Sequence, residues 1–390
     1  MTEMVYGAQG VRAGDPVLPK WWRTVDKWTL SCVIILFGIG MLLSLASSPP
    51  LVERLNRPAF FFVQRQAAFG LVALTLMVLV SMLTPVRVRR WAVIGFGIAL
   101  VAVLLLPVLG TDLGKGAVRW YIIGGRTLQP SEFLKPMFVV TSAWLLAASQ
   151  DAGGPPGRVL SLSLCVIIAS ALVLQPDFGQ AALIIFGWGV MFFVGGAPIL
   201  LILGIVGTVL GAGVFAYSSS EHFARRIDGF LDVDVDPTTQ IGYATTAIQE
   251  GGFFGVGLGE GRVKWSLADA HTDFVIAVAA EEYGLIAVLV IICLYGTVVM
   301  RSLARLMRER DPFIRLAGTG IAVTFGVQAF INIGVAVRLL PAKGMTLPFI
   351  SYGGSSLLAW GLAMGMLLAF TRTRPQGEIE DILRSRGRGT

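Results

Sequence analysis

Several ionisable residues stand where a long apolar run begins in the second half of the chain. The stretch Asp269-Ala-His-Thr-Asp-Phe274 leads into apolar residues 275–280, and Glu281 and Glu282 follow directly. A charged carboxylate at membrane depth is costly, so such residues are rare and usually mark a pathway or a reaction centre. The chemistry of the chain is therefore expected to centre on these carboxylates.

Asp273 is the carboxylate best placed for acid–base chemistry. The pattern predicts it in the first turn of the helix, close to His271 and Asp269, and a partly desolvated carboxylate near others is a candidate general base. The alternative is a capping role, because a helix N-terminus favours negative charge. Glu281 and Glu282 lie deeper in the run, and we expect them to be structural residues that hydrogen-bond neighbouring helices.

A pair of opposite charges opens an earlier apolar run, in Gln129-Pro-Ser-Glu-Phe-Leu-Lys135. Pro130 suits the first position of a helix, and Glu132 and Lys135 are spaced to share one helix face and pair. Two interpretations stand and do not exclude each other. The pair could be structural, or Lys135, held by Glu132, could bind an anion.

The glycine-rich run Gly251-Gly-Phe-Phe-Gly-Val-Gly-Leu-Gly-Glu-Gly261 is superficially like a phosphate-binding loop. A dinucleotide site needs a strand before the loop and a helix opening from it, and neither is predicted here. We therefore expect a conformationally permissive loop.

Polar and cationic residues gather near the end of a later apolar run. Gln328 and Asn332 are expected to join helices, since polar side chains often do so in membranes. Arg338 and Lys343 follow the run and are better placed to meet phosphates.

The composition indicates a polytopic membrane protein. Of the 390 residues, 55% are apolar and 14% are charged, with a mean hydropathy of +0.75, whereas a soluble domain carries about 25% charged residues. Apolar runs long enough to cross a bilayer predict an all-α integral membrane protein with about ten transmembrane helices. The predicted spans are 28–47, 66–83, 91–109, 131–148, 159–174, 180–195, 198–217, 271–300, 313–335 and 352–371.

The distribution of arginine predicts the orientation. Short arginine-rich loops at 84–90 and 301–312 place both termini inside by the positive-inside rule. Residues 1–27 and 372–390 are then cytoplasmic tails, and 28–371 form one membrane domain.

Three longer segments, 110–130, 218–270 and 336–351, fall on the outer face of this topology. The segment 218–270 is the one large outer loop, and chemistry is expected on the outer face. The net charge of +7 is accounted for by anionic lipid at basic inner loops, so no nucleic-acid partner is expected. The three isolated cysteines have neither disulfide nor metal-ligand spacing.

Motifs spread along the chain resemble those of the SEDS family, the FtsW/RodA-type polytopic proteins, over residues 28–371. They appear here as Arg119-Trp-Tyr121, Gln129-Pro-Ser-Glu-Phe-Leu-Lys135, Gln175-Pro-Asp-Phe-Gly179, Gly255-Val-Gly-Leu-Gly259, Ala270-His-Thr-Asp-Phe274 with Glu281-Glu282, and Lys343-Gly-Met-Thr-Leu-Pro-Phe-Ile-Ser-Tyr-Gly-Gly-Ser-Ser356. The segment from Lys343 looks more like the division branch (FtsW) than the elongation branch. Ala336 departs from the family, which often has an asparagine there.

The resemblance implies a glycosyltransferase that polymerises lipid II into glycan strands. Its implied partners are a class B penicillin-binding protein, which supplies transpeptidation, and other membrane proteins of the divisome. The implied location is the bacterial cytoplasmic membrane, at the division septum, with a periplasmic active face. Asp273 matches the family's essential aspartate, and Glu132 and Lys135 match its paired charges.

In the chemistry that the resemblance implies, Asp273 removes or orients the proton of an N-acetylglucosamine 4-hydroxyl. That oxygen attacks and inverts the anomeric carbon of N-acetylmuramic acid, and undecaprenyl pyrophosphate leaves. Its charge needs stabilising. Candidate substrate-binding residues are Glu132, Lys135, Arg119, Lys115, His271, Arg338, Lys343, Ser355 and Ser356. A divalent cation, Mg²⁺ or Mn²⁺, could bridge the phosphates, although no ligand cluster in the sequence demands one.

Two other functions remain open at this stage. Ten spans with carboxylates inside the membrane would also suit a lipid II flippase, which should show a polar track across the bilayer. A non-catalytic scaffold that recruits a penicillin-binding protein is the second alternative.

Overall fold

The computed structural model describes residues 17–112, 118–151, 153–219, 221–231, 237–341 and 344–373. The helices of the first half are α1 (Val17–Thr24), α2 (Lys27–Ser47), α3 (Pro49–Arg54), α4 (Phe61–Ser81), α5 (Pro85–Leu109), α6 (Pro130–Ala148) and α7 (Gly157–Leu174). Those of the second half are α8 (Phe178–Val194), α9 (Ile199–Ser219), α10 (Glu221–Leu231), α11 (Gln240–Gly251), α12 (Val275–Leu306), α13 (Pro312–Ala336) and α14 (Gly354–Thr371). An antiparallel hairpin, β1 (Tyr121–Ile123) and β2 (Arg126–Leu128), precedes α6.

Eight of the described helices are long and apolar enough to cross a bilayer, namely α2, α4, α5, α7, α9, α12, α13 and α14. The two other predicted spans correspond to α8, which has 17 residues, and to α6, which begins at Pro130 and carries Glu132 and Lys135 near its beginning. The mostly helical membrane fold is therefore confirmed, with one small hairpin added to the predicted all-α class. The count of ten spans remains a prediction.

The centre of the bundle is formed by α13 and α14. Helix α14 packs against α4, α6 and α13, and α13 also packs against α6, α8 and α12. Small residues allow the closest of these approaches, since a Cβ atom on Gly361 would lie 2.4 Å from the carbonyl oxygen of Ala73 in α4. Helix α9 lies at the periphery, where none of its apolar window is buried.

Helix α12 differs most from its predicted span of 271–300. It begins at Val275 and is interrupted at Gly284, whose φ of 78° and ψ of 179° are not helical. The left-handed φ suits glycine, and the interruption removes the normal helical partners of the neighbouring main-chain groups. The apolar run is therefore a short upper segment and a longer lower segment, not one continuous helix.

The glycine-rich run supplies the main-chain partners that this interruption removes. Val256 N–H and Gly257 N–H donate to the carbonyls of Glu281 (2.8 Å) and Glu282 (3.3 Å), and Leu285 N–H donates to Gly252 (2.9 Å). The approach requires glycine, because a Cβ on Gly255 would lie 2.2 Å from Glu282 O, and one on Gly284 would lie 2.3 Å from Phe253 O. The predicted permissive loop is in fact packed into α12.

Contacts at one end of the bundle join residues that lie in the predicted outer segment 110–130 or just after the segments 218–270 and 336–351. Ser355 Oγ accepts the N–H of Gln129 (3.1 Å) and donates to the carbonyl of Thr127 (3.2 Å). The N–H of Tyr352 donates to the carbonyl of His271 (2.9 Å). We call this the outer end, after the predicted topology.

The opposite end is joined by an ion-pair cluster around Asp26, the residue before α2. Its buried carboxylate accepts from Arg301 (2.9 Å) and Arg305 (3.2 Å) of α12. Arg305 also donates to the carbonyl of Thr371, the last residue of α14. Of the predicted tails, residues 1–16 and 374–390 lie outside the described residues.

Candidate active site

Asp273 lies in a turn just ahead of α12. The main-chain N–H groups of Asp273 and Phe274 donate to the carbonyl of Asp269, at 3.1 and 3.2 Å. Because α12 begins at Val275, the predicted placement of Asp273 in the first helical turn is wrong. The N-cap position belongs to Phe274, so Asp273 is not the N-cap residue either. Its side chain is half-buried.

A single amide from α13 fixes the main chain of Asp273. Asn332, which is buried, donates through Nδ2 to the carbonyls of Asp273 (3.0 Å) and Met345 (2.6 Å). Met345 belongs to residues 344–351, a segment before α14 that we call the strap. A Cβ on Gly344 would lie 3.3 Å from Oδ2 of Asp273. The strap therefore passes against the carboxylate itself.

The strap is held at further points by side chains of α13 and α14. Gln328 Nε2 donates to the carbonyl of Thr346 (2.8 Å), and the Thr346 and Ser356 hydroxyls lie 2.7 Å apart. Ser351 Oγ accepts the N–H of Leu347 (2.8 Å) and donates to the carbonyl of Thr272, beside Asp273. Ser355 and Ser356, two predicted substrate-binding residues, thus bond to protein groups that shape the site.

Glu132 and Lys135 form the predicted ion pair, with 2.9 Å between Oε2 and Nζ. Both are buried, at 3% and 2% exposure. Lys135 Nζ also donates to Gln328 Oε1 (2.8 Å), and Gln180 Nε2 donates to Glu132 Oε1 (2.7 Å). The geometry favours the structural alternative, in which the pair supports the strap through Gln328.

His271 stands in an aromatic cluster next to Asp273. Its ring centroid lies 5.9 Å from that of Phe62 in α4 and 5.7 Å from that of Tyr352. The guanidinium groups of Arg57 and Arg65 lie 5.4 and 5.3 Å from the ring of Phe61. Arg57, just before α4, and Arg65, in its second turn, thus lie near Phe61, the neighbour of the residue that contacts His271.

Arg119 ties the hairpin segment to the turn between α7 and α8. It donates through Nε to the carbonyl of Gln175 (3.1 Å) and through Nη2 to that of Pro176, and Nη1 lies 4.0 Å from Asp177. Burial raises the pKa of the Asp177 carboxyl above its ordinary value, and the Arg119 guanidinium opposes that rise. Arg119 thus has a structural role in this turn, and its predicted contact with substrate remains a prediction.

The side chains of Glu281 and Glu282 interact with residues of the outer loop. The sequence predicted hydrogen bonds to neighbouring helices, and that choice of partner is wrong. Glu281 accepts the N–H groups of Val263 (2.7 Å) and Lys264 (3.2 Å). Glu282 pairs with Lys264 Nζ in a buried salt bridge. Both glutamates thus lock the loop to α12 and act structurally.

Comparison with known proteins identifies the family. The FtsW/RodA/SpoVE family of cell cycle proteins matches residues 27–376. The chain belongs to this family. It is 43% identical over 365 residues to "Probable peptidoglycan glycosyltransferase FtsW" of Caulobacter vibrioides, covering 93% of each chain. It is 36% identical over 360 residues to the protein of the same name in Trichlorobacter lovleyi, covering 88% of this chain and 92% of that one.

Two solved structures share the FtsW/RodA fold with this chain. One belongs to a peptidoglycan synthase complex, with 28% identity, a TM-score of 0.73 and coverage of 89% of this chain and 97% of that one. The other is Thermus thermophilus RodA, with 26% identity, a TM-score of 0.65 and coverage of 90% and 97%. The predicted family and its division branch are confirmed.

The structure does not test the substrate contacts predicted for three cations of this FtsW/RodA-type chain. Lys115 and Lys343 lie outside the described residues. Arg338 follows α13 with a left-handed φ of 59° and is half-buried. Its substrate contact remains a prediction, as do those of Lys115 and Lys343.

Sequence reasoning missed Arg57, Arg65 and Phe62 and assigned Asn332 only a general role. The two arginines could have been noticed as outer cations just before an apolar run. Asn332 gave no signal beyond being polar in such a run, because its partners lie far away in the chain. The role of Lys264 could not be recognised for the same reason, because its partner Glu282 lies elsewhere in the chain.

Proposed function

We propose that this chain polymerises lipid II into glycan strands, working with a class B penicillin-binding protein. The names of its relatives confirm the predicted enzyme class, a peptidoglycan glycosyltransferase. The structural relative, from a complex that coordinates polymerisation and crosslinking, supports a crosslinking partner. The observation that carries the proposed chemistry is the half-buried Asp273, held against the strap where three outer segments meet.

In the proposed reaction Asp273 is the general base. Its carboxylate takes the proton from the 4-hydroxyl of the acceptor's N-acetylglucosamine as that oxygen bonds to the anomeric carbon of the donor's N-acetylmuramic acid. The bond from that carbon to the pyrophosphate oxygen breaks with inversion, and undecaprenyl pyrophosphate leaves with the electron pair. The carboxyl then loses its proton to water. A base held in position by buried hydrogen bonds suits this step, since proton transfer depends on distance.

The leaving pyrophosphate needs cations near the outer end. Arg57, Arg65 and Arg338 are the described candidates, whereas Lys135 is occupied by Glu132 and Gln328. Within the described residues no group of three or more His, Cys, Asp or Glu side chains is placed to hold a metal ion. These residues do not form a protein cage for Mg²⁺ or Mn²⁺, so no step is assigned to a metal here.

The remaining proposals concern location and partners. We propose that the enzyme lies in the cytoplasmic membrane of a bacterium, with both termini inside and Asp273 on the periplasmic side; its long apolar helices support a membrane location. We also propose that it acts at the septum with other divisome membrane proteins, which its membership of the division branch supports. The arginine-rich loops carry the orientation.

The decisive experiment measures polymerisation of fluorescent lipid II by the chain co-purified with its penicillin-binding protein, for the native protein and Asp273→Asn. We expect polymer from the native protein alone, with equal partner binding and equal penicillin labelling of the partner in both samples. An active Asn variant would exclude the general-base role. Translocation of lipid II without polymer would instead establish the flippase, and rescue of function without either activity would support the scaffold.

A further inference from the structure

A groove opens at the outer end beside the beginning of α4. It lies among the end of α2, α3 and the first turn of α4, and it has a volume of about 460 Å³. Its apolar wall includes Leu45, Val52, Ala59, Phe60, Val63 and Trp265, and its charged residues are Glu53 and Arg57. Such a wall suits an apolar chain that carries an anionic group at one end.

The groove has a built shape. Arg54 of α3 donates to the carbonyl of Trp265, which joins α3 to the outer loop across the opening. Asn56 turns the chain between α3 and α4 with a left-handed φ of 48°. Trp265 itself follows Lys264, the residue that pairs with Glu282, so one wall of the groove is anchored to α12.

Three consecutive phenylalanines connect the polar end of the groove to the candidate active site. They are Phe60, the N-cap residue of α4, and Phe61 and Phe62, the first two residues of that helix. Phe60 lines the groove, the guanidinium groups of Arg57 and Arg65 lie 5.4 and 5.3 Å from the centroid of the Phe61 ring, and Phe62 contacts the ring of His271. His271 is two residues from Asp273. Consecutive residues of the chain therefore link the groove lining, the cation pair and His271, which stands next to the candidate base.

We propose that this groove binds the polyprenyl chain of one lipid-linked substrate, with its pyrophosphate at Arg57 and Arg65. The inference rests on the proposed function, because glycan polymerisation brings two lipid-linked molecules to one base and requires a separate path for each chain. Two cations near one aromatic ring offer more positive charge to a pyrophosphate than the single phosphate of a common phospholipid requires. The sugar attached to that pyrophosphate then lies toward His271 and Asp273.

The test uses lipid II that carries a photoreactive diazirine on its prenyl chain, added to the complex with the penicillin-binding protein. The complex contains Asp273→Asn, so that labelling does not depend on turnover. Ala59→Trp fills the groove at an exposed position, and Ala68→Trp adds the same ring on an exposed position of α4 outside the groove lining. A third variant, Arg57→Gln with Arg65→Gln, removes both cations.

We expect label in residues 45–63, about tenfold less of it in Ala59→Trp, and native labelling in Ala68→Trp. A tenfold loss of label corresponds to a loss of binding free energy equal to the burial of roughly two CH₂ groups of the prenyl chain. The double arginine variant should also lose label, and undecaprenyl pyrophosphate should compete where phosphatidylglycerol does not. Label outside the groove, equal labelling of both tryptophan variants, or equal competition by phosphatidylglycerol would overturn the proposal.

The two proposals fail in different ways. Groove labelling without polymer from the native complex would contradict the proposed function and leave a prenyl-binding groove in place. Polymerisation by the native complex without groove labelling would contradict the groove and leave the enzyme in place.

Discussion

Asn332 and Asp273 are joined by a hydrogen bond from a side-chain amide to a main-chain carbonyl, at 3.0 Å. The same amide nitrogen donates to Met345 of the strap at 2.6 Å. One turn earlier on α13, Gln328 joins the strap to Lys135. Two amides on one helix face thus connect the candidate base, the strap and the buried ion pair of α6.

Replacing Asn332 with leucine should slow polymerisation more than it weakens substrate binding. The change keeps the approximate volume but leaves the Asp273 and Met345 carbonyls without this donor, at a cost of about 1–3 kcal/mol for each buried group. Because the carboxylate would then be less well placed, kcat should fall about ten- to a hundredfold while KM changes little. Steady-state kinetics and a thermal unfolding curve test this, and an unchanged kcat would remove the positioning role.

Gly344→Ala tests the contact between the strap and the carboxylate. The added Cβ would lie 3.3 Å from Oδ2 of Asp273, so the carboxylate or the strap must shift by a few tenths of an ångström. We expect about a tenfold loss of rate with little change in melting temperature, since the displacement concerns the base and not the core. Gly353→Ala is the control. Gly353 lies two residues beyond the strap, and a Cβ there would be 3.5 Å from its nearest neighbours. An equal effect at both positions would point to general disturbance.

Lys135→Met should destabilise the protein strongly. It leaves Glu132 buried and charged without its partner, and breaking a buried pair costs about 3–5 kcal/mol. The double variant Glu132→Leu with Lys135→Met removes both charges and should recover a large part of that stability. Unfolding midpoints in detergent, measured for the native protein and both variants, test this prediction. A stable Lys135→Met protein that has lost only substrate affinity would restore the anion-binding interpretation.

Gly284→Ala should weaken the attachment of the outer loop to α12. The new Cβ would meet Phe253 O at 2.3 Å, and φ at 78° is unfavourable for alanine. We expect a loss of at least about 2 kcal/mol and faster proteolysis within residues 252–262. The matched control is Gly296→Ala, lower on α12, which has nothing within 4 Å and should stabilise by up to about 1 kcal/mol.

The sequence revealed those parts of the site whose signal is local. Asp273 was noticed because charge at the beginning of an apolar run is costly, and the Glu132–Lys135 pair followed from helical spacing alone. The membrane fold followed from long apolar runs. Each of these signals lies within a few residues and needs no knowledge of distant partners.

Other parts could not be predicted because their cause lies far along the chain. Gln328 is 193 residues from Lys135, and Asn332 is 59 residues from Asp273. The interruption of α12 at Gly284 depends on a loop that precedes it, and no pattern within the apolar run marks it. A glycine there is compatible with an unbroken helix until the loop is considered.

The junction at Gly284 also bears on how the protein is made. The carbonyls of Glu281 and Glu282 take hydrogen bonds from Val256 and Gly257, and unsatisfied main-chain groups in a bilayer cost several kcal/mol each. The ribosome synthesises the loop before the helix, so the loop is already available as a template when α12 enters the translocon. Insertion of α12 and folding of the exported loop should therefore be a single coupled event during biogenesis.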